Sequence, residues 1–259
     1  MSHDSQYLNF KKYGEKGRVI VILHGLFGML DNWNTLARQL AEDFQVYIVD
    51  QRNHGKSFHA DEMSYDLMTV DLLNFLKAHD LRDINLMGHS MGGKVAMNFA
   101  LTHPEYLARL IVVDIAPVIY APAHQFIFSA LESVDFAQNL TRADIAKKMG
   151  EKISQPAIIQ FLMKNIGRDQ YQKLRWKMNW KAIQKNYDAM NQWEMKGPHY
   201  DGEVLFIKGE RSKYIQEKDT PIILKYFPKA KIRTIEKAGH WVHAEQPVAL
   251  LDLLTRFVC

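Results

Sequence analysis

The first 117 residues alternate short apolar runs with amphipathic stretches. Arg18-Val19-Ile20-Val21-Ile22-Leu23, Gln45-Val46-Tyr47-Ile48-Val49, Asp83 to Met87 and Leu110-Ile111-Val112-Val113 are near-continuous in hydrophobicity, the pattern of strands buried on both faces of a parallel sheet. Between them, Asp31 to Glu42, Tyr65 to His79 and Met91 to His103 carry apolar residues at helical spacing, the last ending before Pro104. Strands and helices in alternation predict an α/β fold with a mostly parallel central sheet flanked by helices. From residue 118 to 199 the pattern changes to helices without strands: His124 to Val134, Thr141 to Glu151, Gln155 to Ile166 and Gln170 to Met190, punctuated by Gly150, Pro156 and Gly167. Strand-like runs return at Val204-Leu205-Phe206-Ile207 and Lys231-Ile232-Arg233-Thr234-Ile235, and Pro247 to Phe257 reads as a closing amphipathic helix. The expected division is a core of residues 1–117 and 200–259 with a helical cap, residues 118–199, inserted into it.

Composition narrows the class. The chain has 259 residues, 47% hydrophobic and 24% charged, ordinary values for a globular protein with a sizeable core. The single cysteine, Cys259, excludes an intramolecular disulfide and a cysteine-based metal site. The opening residues Met1 to Gln6 lack a basic and then apolar secretory pattern, and no apolar run is long enough to span a bilayer. A cytoplasmic location without a membrane partner is the expectation, as a monomer or weak homodimer.

The net charge of +4 is unevenly spread: Arg142 to Lys196 holds twelve Lys and Arg against five Asp and Glu. Such a surplus favours an anionic leaving group such as a CoA or phosphate ester, or is a solvated helix face, the plainer reading. No nucleic-acid-binding motif accompanies it, and no nucleic-acid partner is expected.

Candidate chemistry centres on Gly88-His89-Ser90-Met91-Gly92, a G-x-S-x-G between the apolar run ending at Met87 and the helical stretch that follows. A serine hydroxyl becomes a nucleophile at neutral pH only when a sharp turn projects it toward a base, and this strand-turn-helix context is that of a nucleophile elbow. His240 is the candidate base, because Lys237-Ala238-Gly239-His240 follows the last predicted strand; His243, His54 and His24 are the alternatives among 11 histidines. The Met91 amide and the Leu26 amide, in the glycine-bearing loop His24-Gly25-Leu26-Phe27-Gly28, are the candidate oxyanion donors. His89 has a structural place in the elbow, and with His24, Phe27 and Trp241 it is expected to line the substrate pocket. Phe126, Phe128, Phe161, Leu162, Met163 and Trp180 either line an acyl pocket or form the core of the cap.

Taken together, these motifs resemble the α/β-hydrolase superfamily over essentially the whole chain: the His24-to-Gly28 loop, Asp50-Gln51-Arg52-Asn53-His54-Gly55-Lys56-Ser57, the elbow with Gly93-Lys94, Val113-Asp114-Ile115-Ala116-Pro117 and Gly239-His240-Trp241. Within it the chain is similar to a group of small bacterial serine esterases, some with acyl-CoA thioesterase activity. The resemblance implies a four-helix cap, a serine-esterase activity on a small-molecule ester or thioester, and no metal or organic cofactor. One position departs from the family. Where most members carry an Asp after the strand Val204 to Ile207, this chain reads Gly209-Glu210-Arg211-Ser212. A serine cannot stabilise an imidazolium, so Asp114 is expected to be the acid, with Glu210 and Asp219 as alternatives. Asp50 is read as structural, holding its loop through Arg52 or neighbouring amides. A C–C bond hydrolase or a cofactor-free haloperoxidase is compatible with the same triad, and a non-catalytic binding protein is the alternative of another class. Serine at the elbow speaks against haloalkane dehalogenases and epoxide hydrolases, which use Asp there.

Overall fold

A computed structural model describes residues 7–138, 140–195 and 197–259; Met1 to Gln6, read for a secretory pattern, and Lys196, counted in the basic surplus, lie outside the described residues. Among the described residues nine strands and ten α-helices follow in the order β1 (Phe10–Tyr13), β2 (Val19–Leu23), α1 (Asn34–Leu40), β3 (Gln45–Val49), α2 (Tyr65–Ala78), β4 (Ile84–His89), α3 (Met91–Thr102), β5 (Leu107–Val113), α4 (Gln125–Glu132), α5 (Arg142–Gly150), α6 (Pro156–Met163), β6 (Ile166–Arg168), β7 (Leu174–Trp176), α7 (Trp180–Asn191), β8 (Glu203–Gly209), α8 (Thr220–Tyr226), β9 (Ala230–Ile235), α9 (Val242–Glu245) and α10 (Pro247–Val258). Seven strands form one sheet in the order β1-β3-β2-β4-β5-β8-β9. All neighbours are parallel except the edge pair β1 and β3. None of the described helices is long and apolar enough to cross a membrane.

Successive side chains of a strand face opposite sides, so each central strand feeds two apolar layers. Val21, Leu23, Leu86, Leu110, Val112, Val204 and Phe206 pack with Met68, Leu72 and Phe75 of α2 and Val95 and Phe99 of α3. Their neighbours Ile20, Ile22, Met87, Ile111, Val113, Leu205 and Ile207 face the other way, onto Leu36 and Leu40 of α1 and Leu250 and Leu254 of α10. This two-sided burial explains why the strands read as continuous apolar runs.

The segment between β5 and β8 carries the four expected helices, α4 to α7, but departs from an all-helical reading. Residues expected to extend the third helix to Ile166 and to begin the fourth at Gln170 instead form the antiparallel hairpin β6–β7, with Ile166 opposite Trp176. Gly167 and the Asp169 to Lys173 turn, closed by Asp169 N–H donating to the Lys173 carbonyl at 2.9 Å, favour reversal over helix. The segment shares its core with the sheet: Ile127, Phe128, Leu131, Ile145, Leu162 and Ile183 belong to the same apolar layer as Leu86 and Val112.

Loops at the strand ends are held by buried polar pairs. Asp50 holds its loop through amides: its carboxylate accepts from Leu30 N–H at 2.8 Å, Lys56 N–H at 2.9 Å and the Asn9 side chain at 2.7 Å. Arg52 pairs elsewhere, donating from Nε and Nη2 to the two carboxylate oxygens of Asp71 at 2.5 and 2.7 Å and from Nη1 to the Glu62 carbonyl at 3.0 Å. Both members of this ion pair are buried, so removing one strands the other's charge in the core. Arg52→Met is expected to lower the unfolding free energy by about 3–5 kcal/mol, seen as a lower urea midpoint. The double variant Arg52→Met/Asp71→Leu should recover most of that loss.

Candidate active site

The site is assembled where the parallel strands end. Ser90 directly follows β4 and Asp114 directly follows β5, and each extends the sheet ladder by one bond: Ser90 N–H donates to the Val113 carbonyl at 3.0 Å, and Asp114 N–H to the Ile207 carbonyl at 2.8 Å. At both residues the backbone then turns sharply, with φ of 53°. A non-glycine residue in that region costs on the order of 1–3 kcal/mol and is retained where the surroundings dictate it. Around Ser90 the crowding is severe, for a Cβ on Gly88 would lie 2.1 Å from the Gly92 carbonyl oxygen. The glycines of the elbow are therefore required by the close passage of strand and helix.

Asp114 is fully buried. Its Oδ2 accepts from His240 Nδ1 at 2.7 Å, its Oδ1 accepts from Gly209 N–H at 3.0 Å, and the Ser212 hydroxyl donates to Oδ2 as well. With the Asp114 carboxylate accepting from three donors, His240 Nδ1 is the ring nitrogen that donates to it, which leaves Nε2 without a partner among the described residues. Ser212 thus stands at the position where an acid was sought and donates to the acid instead. Glu210 is turned away, accepting from Lys237 N–H at 2.8 Å, and Asp219 accepts from Gln216 N–H at 2.8 Å. Neither reaches His240.

His240 is held from several sides. The Tyr214 ring stacks on it with centroids 4.1 Å apart, and His89 Nε2 donates to the His240 backbone carbonyl at 2.8 Å. Tyr214 is in turn fixed through its carbonyl by the Tyr120 hydroxyl. Ser90 and His240 border one cavity, with no hydrogen bond within 3.5 Å joining their side chains among the described residues; such contacts tighten when a substrate is engaged.

The loop after β2 brings Leu26 beside Ser90. Phe27, at φ 59°, bends it inward, and a Cβ on Gly25 would lie 2.9 Å from His89 Nδ1 and 3.2 Å from Ser90 Cβ. Two buried imidazoles shape this loop. His54 Nε2 accepts from Phe27 N–H at 3.2 Å while its Nδ1 donates to the Arg52 carbonyl at 2.9 Å; His24 Nε2 accepts from Gln51 N–H at 3.0 Å while its Nδ1 donates to the Gly25 carbonyl at 2.8 Å. Each ring must be neutral to accept, and burial brings His24 down to about 4 and His54 to about 3. Asn165, fully buried and contributed by the segment between β5 and β8, donates to the Phe27 carbonyl at 2.8 Å. Leu26 N–H and Met91 N–H, the latter in the first turn of α3, have no acceptor among the described residues.

His24, Phe27, His89 and Trp241 all border the larger cavity, of about 430 Å³. His24 and His89 present no free donor to it, because their ring N–H groups are committed to backbone carbonyls. Phe126, Phe161, Ile127 and Ile158 give the cavity its apolar wall, whereas Phe128 and Leu162 are buried as core. His124 lies at the rim, its Nδ1 2.5 Å from the Tyr187 hydroxyl, and His243 stacks on Trp33 at 4.2 Å. Burial lowers these rings to about 4 and about 3. Sequence reasoning did not identify Tyr214, His124 or Asn165, and saw Ser212 as the place of a missing acid rather than as a donor, since nothing local to these residues marks contacts with residues far away in the chain.

The sequence profile of the alpha/beta hydrolase fold matches residues 18–247. Esterase YbfF of Escherichia coli is 38% identical over 240 residues, covering 92% of both chains. The mouse protein named sn-1-specific diacylglycerol lipase ABHD11 is 35% identical over 92% of this chain and 80% of its own length. A solved structure titled "Marine microorganism esterase" is 44% identical, covers 98% of this chain and all of that one, and superposes with a TM-score of 0.94. With profile, relatives and strand order in agreement, the chain belongs to the α/β-hydrolase fold family.

Proposed function

We propose that this protein hydrolyses small-molecule carboxylic esters through an acyl-enzyme on Ser90, with His240 as the general base and acid and Asp114 as its carboxylate partner. The observation that carries the reading is the buried Asp114 carboxylate, 2.7 Å from Nδ1 of the half-buried His240, beside a cavity that His240 and Ser90 both line. His240 Nε2 takes the Ser90 proton as the hydroxyl oxygen attacks the acyl carbonyl. The Leu26 and Met91 amides hold the oxygen that gains charge. Collapse of the tetrahedral intermediate passes the proton from His240 to the departing alcohol, and water then repeats the sequence to release the acid. Tyr214, Ser212 and His89 act by positioning, since they touch His240 or Asp114 and do no proton transfer themselves.

Residues 118–199 act as the cap that roofs this site, and the basic surplus there bears little on the leaving group. Among the described residues lining the larger cavity there is no Lys or Arg, and Glu245 is its charged member. An apolar alcohol suits such a wall better than a CoA or phosphate ester.

Ser90→Ala is expected to abolish both hydrolysis of a benzyl ester and labelling by a fluorophosphonate probe. Asp114→Asn should reduce kcat by about 10⁴-fold, because the imidazole loses its tautomer and counter-charge. Glu210→Gln should stay close to wild type; a large loss there with Asp114→Asn unaffected would reverse the assignment.

The neutral imidazoles make the fold acid-sensitive. A histidine lowered on folding binds more protons when unfolded, so its contribution is complete above its ordinary value of 6.5 and is lost as pH falls toward the folded value, about 4 for His24 and about 3 for His54. Each such ring supplies a slope of up to about 1.4 kcal/mol per pH unit in that window. Urea midpoints are expected to be level between pH 7 and 8 and to drop between about pH 6.5 and 5, before carboxylates titrate. A flat profile through that range would mean that the rings fold in their charged form.

A further inference from the structure

Lys94, in the first turn of α3, is a buried cation with no anion beside it. It is 3% exposed, and among the described residues the contacts of its Nζ are with aromatic rings. Three aromatic rings surround the ammonium instead, those of Tyr120, Trp193 and Tyr65, at 5.1, 5.4 and 5.6 Å from Nζ to the ring centroids. Burial lowers the lysine to about 8, which leaves it a cation at neutral pH. Aromatic faces offset only part of the cost of desolvating an ammonium, so a site of this kind gains from an incoming anion.

The ammonium lies in the wall of a second cavity, of about 240 Å³, which meets the larger one at Leu26, Ser90, Ala123, His124 and Tyr214. Among the described residues no Asp or Glu lines it, Lys213 adds a second cation from an exposed position, and Asn191 in the same wall has a side-chain Nδ2 without an acceptor. The two cavities divide the reacting groups between them. His240 borders the larger and Met91 the smaller, with Ser90 common to both. The departing alcohol takes its proton from His240, so it occupies the larger, apolar cavity; the acyl chain then runs into the smaller one.

We infer that the smaller cavity is an acyl subsite for a chain ending in a carboxylate, paired there with the Lys94 ammonium, so that the preferred substrates are half-esters of short dicarboxylic acids with an apolar alcohol. This deepens the Ser90 hydrolase reading and rests on it. The position of Lys94 makes it a specificity residue: it touches the far end of the substrate and takes no part in the proton transfers.

The test compares monobenzyl glutarate with benzyl 5-methylhexanoate, which replaces the carboxylate by an isopropyl group of the same shape. Wild-type kcat/KM is expected to favour the half-ester, and the ratio of the two values to fall by about tenfold or more in Lys94→Met. Glutarate should also inhibit the wild type competitively about tenfold more tightly than its neutral diamide, glutaramide, a measurement that holds whether or not the variant folds. Equal or better turnover of the neutral ester by wild type, a ratio that survives Lys94→Met, or equal inhibition by glutarate and glutaramide overturns the subsite. Ser90-dependent turnover of the neutral ester without any preference removes the subsite alone. Absence of Ser90-dependent turnover of both esters removes the hydrolase reading beneath it.

Discussion

Two backbone hydrogen bonds set the geometry on which everything else in this protein depends. Ser90 and Asp114 each donate to the carbonyl of the neighbouring strand, one residue beyond the strand that carries them, and each then leaves the sheet at positive φ. The parallel register thereby fixes Ser90 and Asp114 on adjacent rungs, and the turn throws both side chains onto the same rim. Strain of this kind survives because the two apolar layers hold β4, β5 and β8 in register on both faces. The cost of the two turns is met by the packing of the sheet, and the site inherits the sheet's rigidity.

A second constraint comes from buried rings that must stay neutral. His54 and His24 accept backbone N–H groups that no other side chain reaches, and in doing so they shape the loop that presents Leu26. An amide or hydroxyl has a similar polarity but not the same span between donor and acceptor. The imidazole bridges two segments at once, one nitrogen donating and the other accepting. His89 plays a related part from the elbow itself, donating to the His240 carbonyl and so joining the Ser90 turn to the loop that carries His240.

The segment between β5 and β8 is more than a roof. Its apolar residues are continuous with the layer on one face of the sheet, and Asn165 reaches into the loop after β2 to hold the Phe27 carbonyl. The segment that lines the cavities beside Ser90 therefore also holds the loop after β2 in place. The division of the site into an apolar cavity beside His240 and a smaller cationic one beside Met91 follows from which residues that segment leaves facing Ser90.

Local spacing was sufficient for much of this. The elbow at Ser90, the glycine-bearing loop at Leu26 and the strand-helix alternation are legible because each depends on residues within a few positions of one another, and backbone sterics act at that range. The β6–β7 hairpin was missed because its apolar residues sit at spacings that suit a helix equally well, and strand pairing across Asp169 to Lys173 decided it. Asp114 followed from chain order and the absence of an acid at Ser212, but the hydroxyl's part as a donor to that same carboxylate needed β5 and β8 side by side. Lys94 stood in full view within the elbow motif. Its isolation from any carboxylate is a property of the packed interior, where burial and the surrounding rings decide what a charge can meet, and no reading along the chain contains that information.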